Sequence, residues 1–252
     1  MDIVEALDAE SGLVCVVGAG GKKSTLYALA ERLDRAVVTA TVRIPIFDSR
    51  VADLVVAEDP VAALGAVDEW PVGLVPERER EDRYRGYDPA VVDDLAAALR
   101  AEADAAPESP PPTVLVKADG ARTRWLKAPN EREPQLPRTA DVVVPIASAR
   151  VVGEPFSEDV AHRPERIAAI TGLSPGEEIG ADDVAAVLAG DEGGMKDVPS
   201  DATVVPLVNM ADDPALEAVA RDVAERVLDR VDVPRVVLSR MVADEPLVGV
   251  VT

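Results

Sequence analysis

A chain of 252 residues with 47 Asp plus Glu against 26 Lys plus Arg has a formal charge of −21. That charge repels phosphate-rich partners and argues against general nucleic-acid or anionic-membrane binding. One cysteine, Cys15, and one histidine, His162, exclude an internal disulfide and any Cys/His metal site.

In chain order, the start MDIVEALDAE is acidic and amphipathic, unlike a signal peptide. No later run approaches the ~20 apolar residues of a membrane span. A soluble, cytoplasmic protein is therefore expected. Residues 13–17 (LVCVV) are a continuous apolar run, as in a central parallel strand. Residues 24–33 have apolar residues at helical spacing, 36–39 read as the next strand, 54–56 and 72–75 as weaker strands, and 91–103 as an alanine-rich helix. The highly charged stretch 76–89 reads as a solvated excursion. Residues 107–112 (PESPPP) cannot lie inside a helix or a central strand and mark a rigid surface connection.

Residues 113–116 and 141–145 read as two more buried strands. The 118–139 stretch between them has little periodicity, and a loop that long in a compact domain is usually functional. Residues 182–189 and 214–231 read as helices, and 203–208 and 235–239 as strands. This alternation predicts an α/β fold, a doubly wound and mostly parallel sheet with right-handed crossovers, in one domain spanning 1–252.

Only five of the basic residues are lysines: Lys22, Lys23, Lys117, Lys127 and Lys196. An acid-rich, lysine-poor, arginine-retaining chain with 3% aromatics has the composition of a protein adapted to high salt, so most carboxylates are solvated surface. Four of the five lysines nevertheless fall in two short segments. Segment 117–138 carries six cations against three carboxylates. A chain that avoids lysine yet keeps it there has an anion to hold.

Gly18-Ala19-Gly20-Gly21-Lys22-Lys23-Ser24-Thr25 joins the first strand to the first helix. Glycines let successive N–H groups turn inward, the helix start adds its free N–H groups, and Lys22 supplies a charge for a nucleotide phosphate. This predicts a deviant P-loop, because Val16 and Lys23 stand where G-x-x-x-x-G-K-[ST] has Gly and Ser or Thr. The bland alternative is a Gly-rich turn of another α/β fold. Asp119, at the end of an apolar strand, is the expected Mg²⁺ anchor, with Ser24 offering a hydroxyl. Asn209 and Asp212 follow a strand in an N-x-x-D pattern, and Ser239 follows the next. They are candidates for contacting a base, guanine in particular, although Asp212 or Asp213 before Pro214 also reads as a helix cap. Thr39 and Thr41, after the second strand, could bring their hydroxyls to the terminal phosphate or Mg²⁺, or serve only as strand-end threonines.

The loop GAGGKKST and the segment ADGARTRWLKAPNEREPQLP at 118–137 resemble the signatures of the YqeC family, and AHRPE at 161–165 is similar to a further segment of that family. The resemblance implies a nucleotide-binding P-loop NTPase-like protein, using ATP or GTP with Mg²⁺, that serves the maturation of a selenium-dependent molybdenum hydroxylase or its cofactor. Lys117 stands where the family usually has Glu, and Lys23 where it usually has Thr. A second substrate or client is expected at Arg122, Arg124, Lys127, His162 and Arg163. A kinase or nucleotidyltransferase acting on a molybdopterin-like phosphate, with Lys22 and Asp119 as catalytic residues, and a non-enzymatic nucleotide-gated chaperone both remain open.

Overall fold

A computed structural model describes residues 1–105 and 111–252. One sheet is built from ten strands, in chain order β1 Leu13–Gly18, β2 Ala36–Ala40, β3 Asp53–Val56, β4 Val72–Val75, β5 Thr113–Lys117, β6 Val142–Ser148, β7 Thr203–Val204, β8 Leu207–Asn209, β9 Val236–Ser239 and β10 Leu247–Val251. Across the sheet the order is β10-β9-β8-β6-β1-β5-β2-β4-β3, with β7 beside the start of β6. All pairings are parallel except that of β9 with β10. The helices are α1 Ile3–Ala6, α2 Lys22–Ala30, α3 Pro60–Leu64, α4 Pro89–Ala105, α5 Pro164–Thr171, α6 Ala181–Ala189 and α7 Pro214–Leu228. This is the doubly wound, P-loop NTPase-like α/β architecture.

The central strands read as unbroken apolar runs because both faces of the sheet are covered. Val14 and Val16 of β1 pack with Leu26 and Leu29 of α2 on one face. Leu13, Cys15 and Val17 point the other way, to Val92, Leu95 and Leu99 of α4, as the two-residue period of a strand requires. A third apolar cluster joins Ala147, Val208 and Leu238 to α6 and α7. Cys15 is thus a packing residue, and burial pushes its thiol pKa up.

Several local expectations need correction. Residues 203–208 form two strands, β7 and β8, separated by Val205 and Pro206; proline has no N–H for the ladder. α2 begins two residues earlier than periodicity suggests, because Gly21, at φ 144°, turns the chain directly into it. The stretch 76–89 is not merely solvated. Arg78–Arg80 and Arg83–Tyr84 form a hairpin that pairs with Ile44–Pro45, and it buries Tyr84 edge-on against Phe47, ring centres 5.8 Å apart. The expected connection at 107–112 lies largely outside the described residues. Among the described residues no helix is long and apolar enough to cross a membrane.

The parallel strands all point their C-terminal ends to one edge, so Gly18, Ala40, Lys117, Ser148, Asn209 and Ser239 gather there. β1 sits where the strand order turns, with β5 and β2 on one side and β6 on the other. Open α/β sheets bind ligands at such a point.

Candidate functional site

The loop after β1 depends on its glycines. Gly18 and Gly20 take φ 86° and 88°, a region open to glycine at little cost. A Cβ on Gly20 would stand 2.8 Å from the Ser148 Cβ, and one on Gly21 would overlap the Asn209 amide. Three N–H groups of the loop are used internally. Gly18 donates to the Asp119 carboxylate at 2.8 Å, Ala19 to the Ile146 carbonyl at 2.8 Å and Gly20 to the Arg124 carbonyl at 3.0 Å. The N–H groups of Lys22, Lys23 and Ser24, in the first turn of α2, have no intrahelical acceptor. These three residues line a cleft of about 1420 Å³.

The long loop after β5 closes on itself where the Gln135 N–H donates to the Ala118 carbonyl at 2.9 Å. It is fastened to the phosphate loop through Arg124, and to β6 where the Ser148 N–H donates to the Trp125 carbonyl at 3.1 Å. Its strand Leu126–Lys127 pairs in parallel with Ala161–His162. The GAGGKKST, ADGAR and AHRPE segments, far apart in sequence, therefore meet around one cleft. Arg122, Arg124, His162 and Arg163 line it. So do Thr41, whose hydroxyl donates to the Gln135 carbonyl at 2.6 Å, and Arg83 and Arg85 of the hairpin. Thr39 instead donates to the Leu74 carbonyl and is buried in the sheet. Among the described residues six non-glycine residues have positive φ, and four of them, Arg122, Thr123, Arg163 and Met210, line the cleft. Strained backbone of this kind collects at functional sites.

The floor of the cleft is a buried charge cluster. Asp119 pairs with Lys22 at 2.8 Å and with Lys127 at 2.7 Å. Lys127 also pairs with Glu133 at 2.7 Å, and Glu133 with Arg163 at 2.6 Å. Lys22 further donates to the Gly18 carbonyl. Among the described residues Lys117 has no carboxylate partner; its ammonium donates to the Asp119 carbonyl at 2.6 Å and the Arg43 carbonyl at 3.1 Å. Lys22, Lys117, Lys127 and Arg163 thus face two carboxylates. Burial raises the Asp119 carboxyl, but the charges of Lys22 and Lys127 outweigh it and hold the group down at about 2. Burial pushes Lys117 down to about 7, with the neighbouring charge of Lys22 acting in the same direction. Lys22 is lowered by burial against the pull of Asp119. His162 is pushed down to about 4, chiefly by burial and then by Arg163 and Lys127; near neutrality its imidazole is uncharged.

Three expected roles change with this geometry. Lys127 has a fully buried side chain and acts as a strut between Asp119 and Glu133, not as a wall residue meeting a second substrate. Asn209 and Ser239 form a clamp beneath the phosphate loop. The Asn209 amide donates to the Gly20 carbonyl at 2.8 Å, while its oxygen accepts from the Ser239 hydroxyl at 3.0 Å and the Met241 N–H at 3.1 Å. Asp212 is held by Arg150 at 2.6 Å, and Asp213 is the cap of α7. None of Asn209, Asp212 and Ser239 lines the cleft. The Mg²⁺ ion expected at Ser24 and Asp119 does not fit the donor set. Both Asp119 oxygens face ammonium groups, Oδ1 that of Lys22 as a charge pair without a hydrogen bond and Oδ2 that of Lys127.

Two charged residues at the cluster escaped sequence reasoning. Glu133 was legible only as one charge among many, and Lys196 lay far away in the chain. Lys196 donates to the Glu133 carbonyl at 3.2 Å and pairs with Asp197.

A family model described as YqeC protein matches residues 14–165, the span that holds the phosphate loop, the ADGAR loop and the HR segment. The chain belongs to the YqeC family. It is 30% identical over 203 residues to the "Uncharacterized protein YqeC" of Escherichia coli (strain K12), covering 78% of this chain and 75% of that protein. The YqeC match ends at Glu165, so Lys196 and the clamp residues Asn209 and Ser239 lie outside it.

Proposed function

We propose that this YqeC-family chain binds a nucleoside triphosphate, ATP or GTP, with its phosphates on the first turn of α2, and that it serves the maturation of a selenium-dependent molybdenum hydroxylase or its cofactor. One observation carries the nucleotide reading: the open N–H groups of Lys22, Lys23 and Ser24 face a cleft whose floor gathers four basic groups against two carboxylates. In a chain of charge −21 such an excess stabilises a polyanion. The molybdenum part rests on the resemblance of the ADGAR and HR segments. Calorimetry with ATP, GTP and CTP in molar KCl tests the site and ranks the bases. Lys22→Ala should weaken triphosphate binding by about tenfold or more, equivalent to roughly 1.4 kcal/mol. Unaltered affinity would move the site elsewhere.

A phosphoryl- or nucleotidyltransferase reading is favoured by the cleft itself. Its volume of about 1420 Å³ exceeds the roughly 300–1,000 Å³ of ordinary small-molecule sites. Arg122, Arg124 and Arg163 stand beyond the phosphate loop, and arginine suits bidentate binding of a second phosphate or carboxylate. Replacing Arg122 and Arg124 together by Ala should spare nucleotide affinity and abolish support of molybdenum-hydroxylase activity in cells. Full support by the double variant would remove the second site.

A further inference from the structure

The usual P-loop arrangement holds Mg²⁺ between a Ser or Thr directly after the loop lysine and an Asp at the end of a neighbouring strand. Both positions are altered here. Lys23 follows Lys22, and the nearest hydroxyl, Ser24, is one residue further on, about 100° round the helix. Asp119 sits at the end of the neighbouring strand, but one oxygen faces Lys22 at 2.8 Å, and the other accepts from Lys127 at 2.7 Å and the Gly18 N–H at 2.8 Å. Lys22, held by Asp119 and the Gly18 carbonyl, lines the cleft. Lys127 does not line it; its side chain is fully buried and is also held by Glu133. Lys117, with only carbonyl partners, adds a third ammonium beside Asp119.

We propose that this cleft takes its triphosphate as the metal-free anion, with Lys22, Lys23 and Lys117 supplying the positive charge that Mg²⁺ provides elsewhere. The proposal deepens the nucleotide reading and rests on it. A magnesium complex has two fewer negative charges than the free triphosphate, so it offsets the excess of the floor less well. It would also place a dication among three ammonium groups, a like-charge juxtaposition that costs binding energy.

The test is titration calorimetry of the full chain in molar KCl with ATP, GTP and inorganic triphosphate as probes, each in excess EDTA and in excess Mg²⁺. Binding in EDTA should be at least as tight as in Mg²⁺, and by about tenfold tighter if the charge excess acts in full. Tighter binding with Mg²⁺ would overturn the proposal while leaving the nucleotide reading intact. No binding of any probe under either condition would instead retire the nucleotide reading. Lys23→Thr combined with Lys117→Glu should reverse the preference toward Mg²⁺, and circular dichroism checks that the variant folds. A folded double variant still indifferent to Mg²⁺ would overturn the role given to the lysines. If the double variant does not fold, Lys23→Thr alone, on the surface of α2, should shift the ratio in the same direction, and an unchanged ratio counts against the proposal.

Discussion

Charge is used differently at the floor of the cleft and over the outer surface. Outside, arginines meet carboxylates in exposed pairs: Arg221 with Glu217, Arg226 with Asp222 and Asp182, Arg43 with Glu79. Such pairs are screened by salt and stabilise by only ~0–1 kcal/mol each. At the floor the cations are mainly lysines, their side chains 0–5% exposed in the ion pairs of Lys127 and Lys22, where solvent and salt do little screening. Four of the five lysines of the chain, Lys22, Lys117, Lys127 and Lys196, bond to Asp119 or Glu133, and the fifth, Lys23, lines the cleft above them. Lys22 and Lys127 meet the buried Asp119 carboxylate, while Lys117 and Lys196 reach the backbone carbonyls of Asp119 and Glu133.

The sharpest way to break this contrast is Lys127→Met. It leaves the buried Asp119 and the half-buried Glu133 without their shared partner, and breaking one side of a buried pair costs about 3–5 kcal/mol. A large drop in thermal midpoint is expected; a drop no greater than that of a surface variant would mean the strut is dispensable.

Lys117 sharpens the contrast through pH. Between about pH 7 and the ordinary lysine value of 10.5 the folded chain binds fewer protons at Lys117 than the unfolded chain does. Stability should therefore rise with pH across that window, and Lys117→Met should remove that part of the slope in denaturant titrations. The proposed triphosphate binding should run the opposite way. The ammonium is the binding form, so affinity should fall as pH rises through 7, with proton uptake visible in buffers of different ionisation heat. A slope unchanged in the variant would reject this assignment.

The smallest effect belongs to the surface. Arg226→Ala, which removes bonds to both Asp182 and Asp222, should leave the thermal midpoint nearly unchanged. A loss comparable to that of Lys127→Met would erase the distinction between the two regions.

Much of this arrangement was legible from local pattern. The runs at 13–17 and 113–116 are buried on both faces in the middle of the sheet, and the Gly-rich turn is followed directly by a helix. The step from apolar strand to Lys117-Ala118-Asp119-Gly120 placed Asp119 at the sheet edge. The aperiodic stretch after it lies against the phosphate loop. Residues 76–89 misled, because charged arginines on a two-stranded hairpin conceal Tyr84, whose burial depends on Phe47 from another segment.

The sequence by itself determined the alternation of strands and helices and the segments that carry the site, since a 2.0 or 3.6 period records which face of an element is buried. Only the tertiary structure decided the partners of the polar side chains. It made Lys127 a strut, turned Asn209 and Ser239 into a clamp under Gly20, drew Lys196 to Glu133, and set lysines on both oxygens of Asp119. A hydrophobic side chain needs only to leave water, which any packed face allows. A buried ammonium or carboxylate needs a counter-group within about 3 Å, and that group comes from wherever in the chain the fold delivers it.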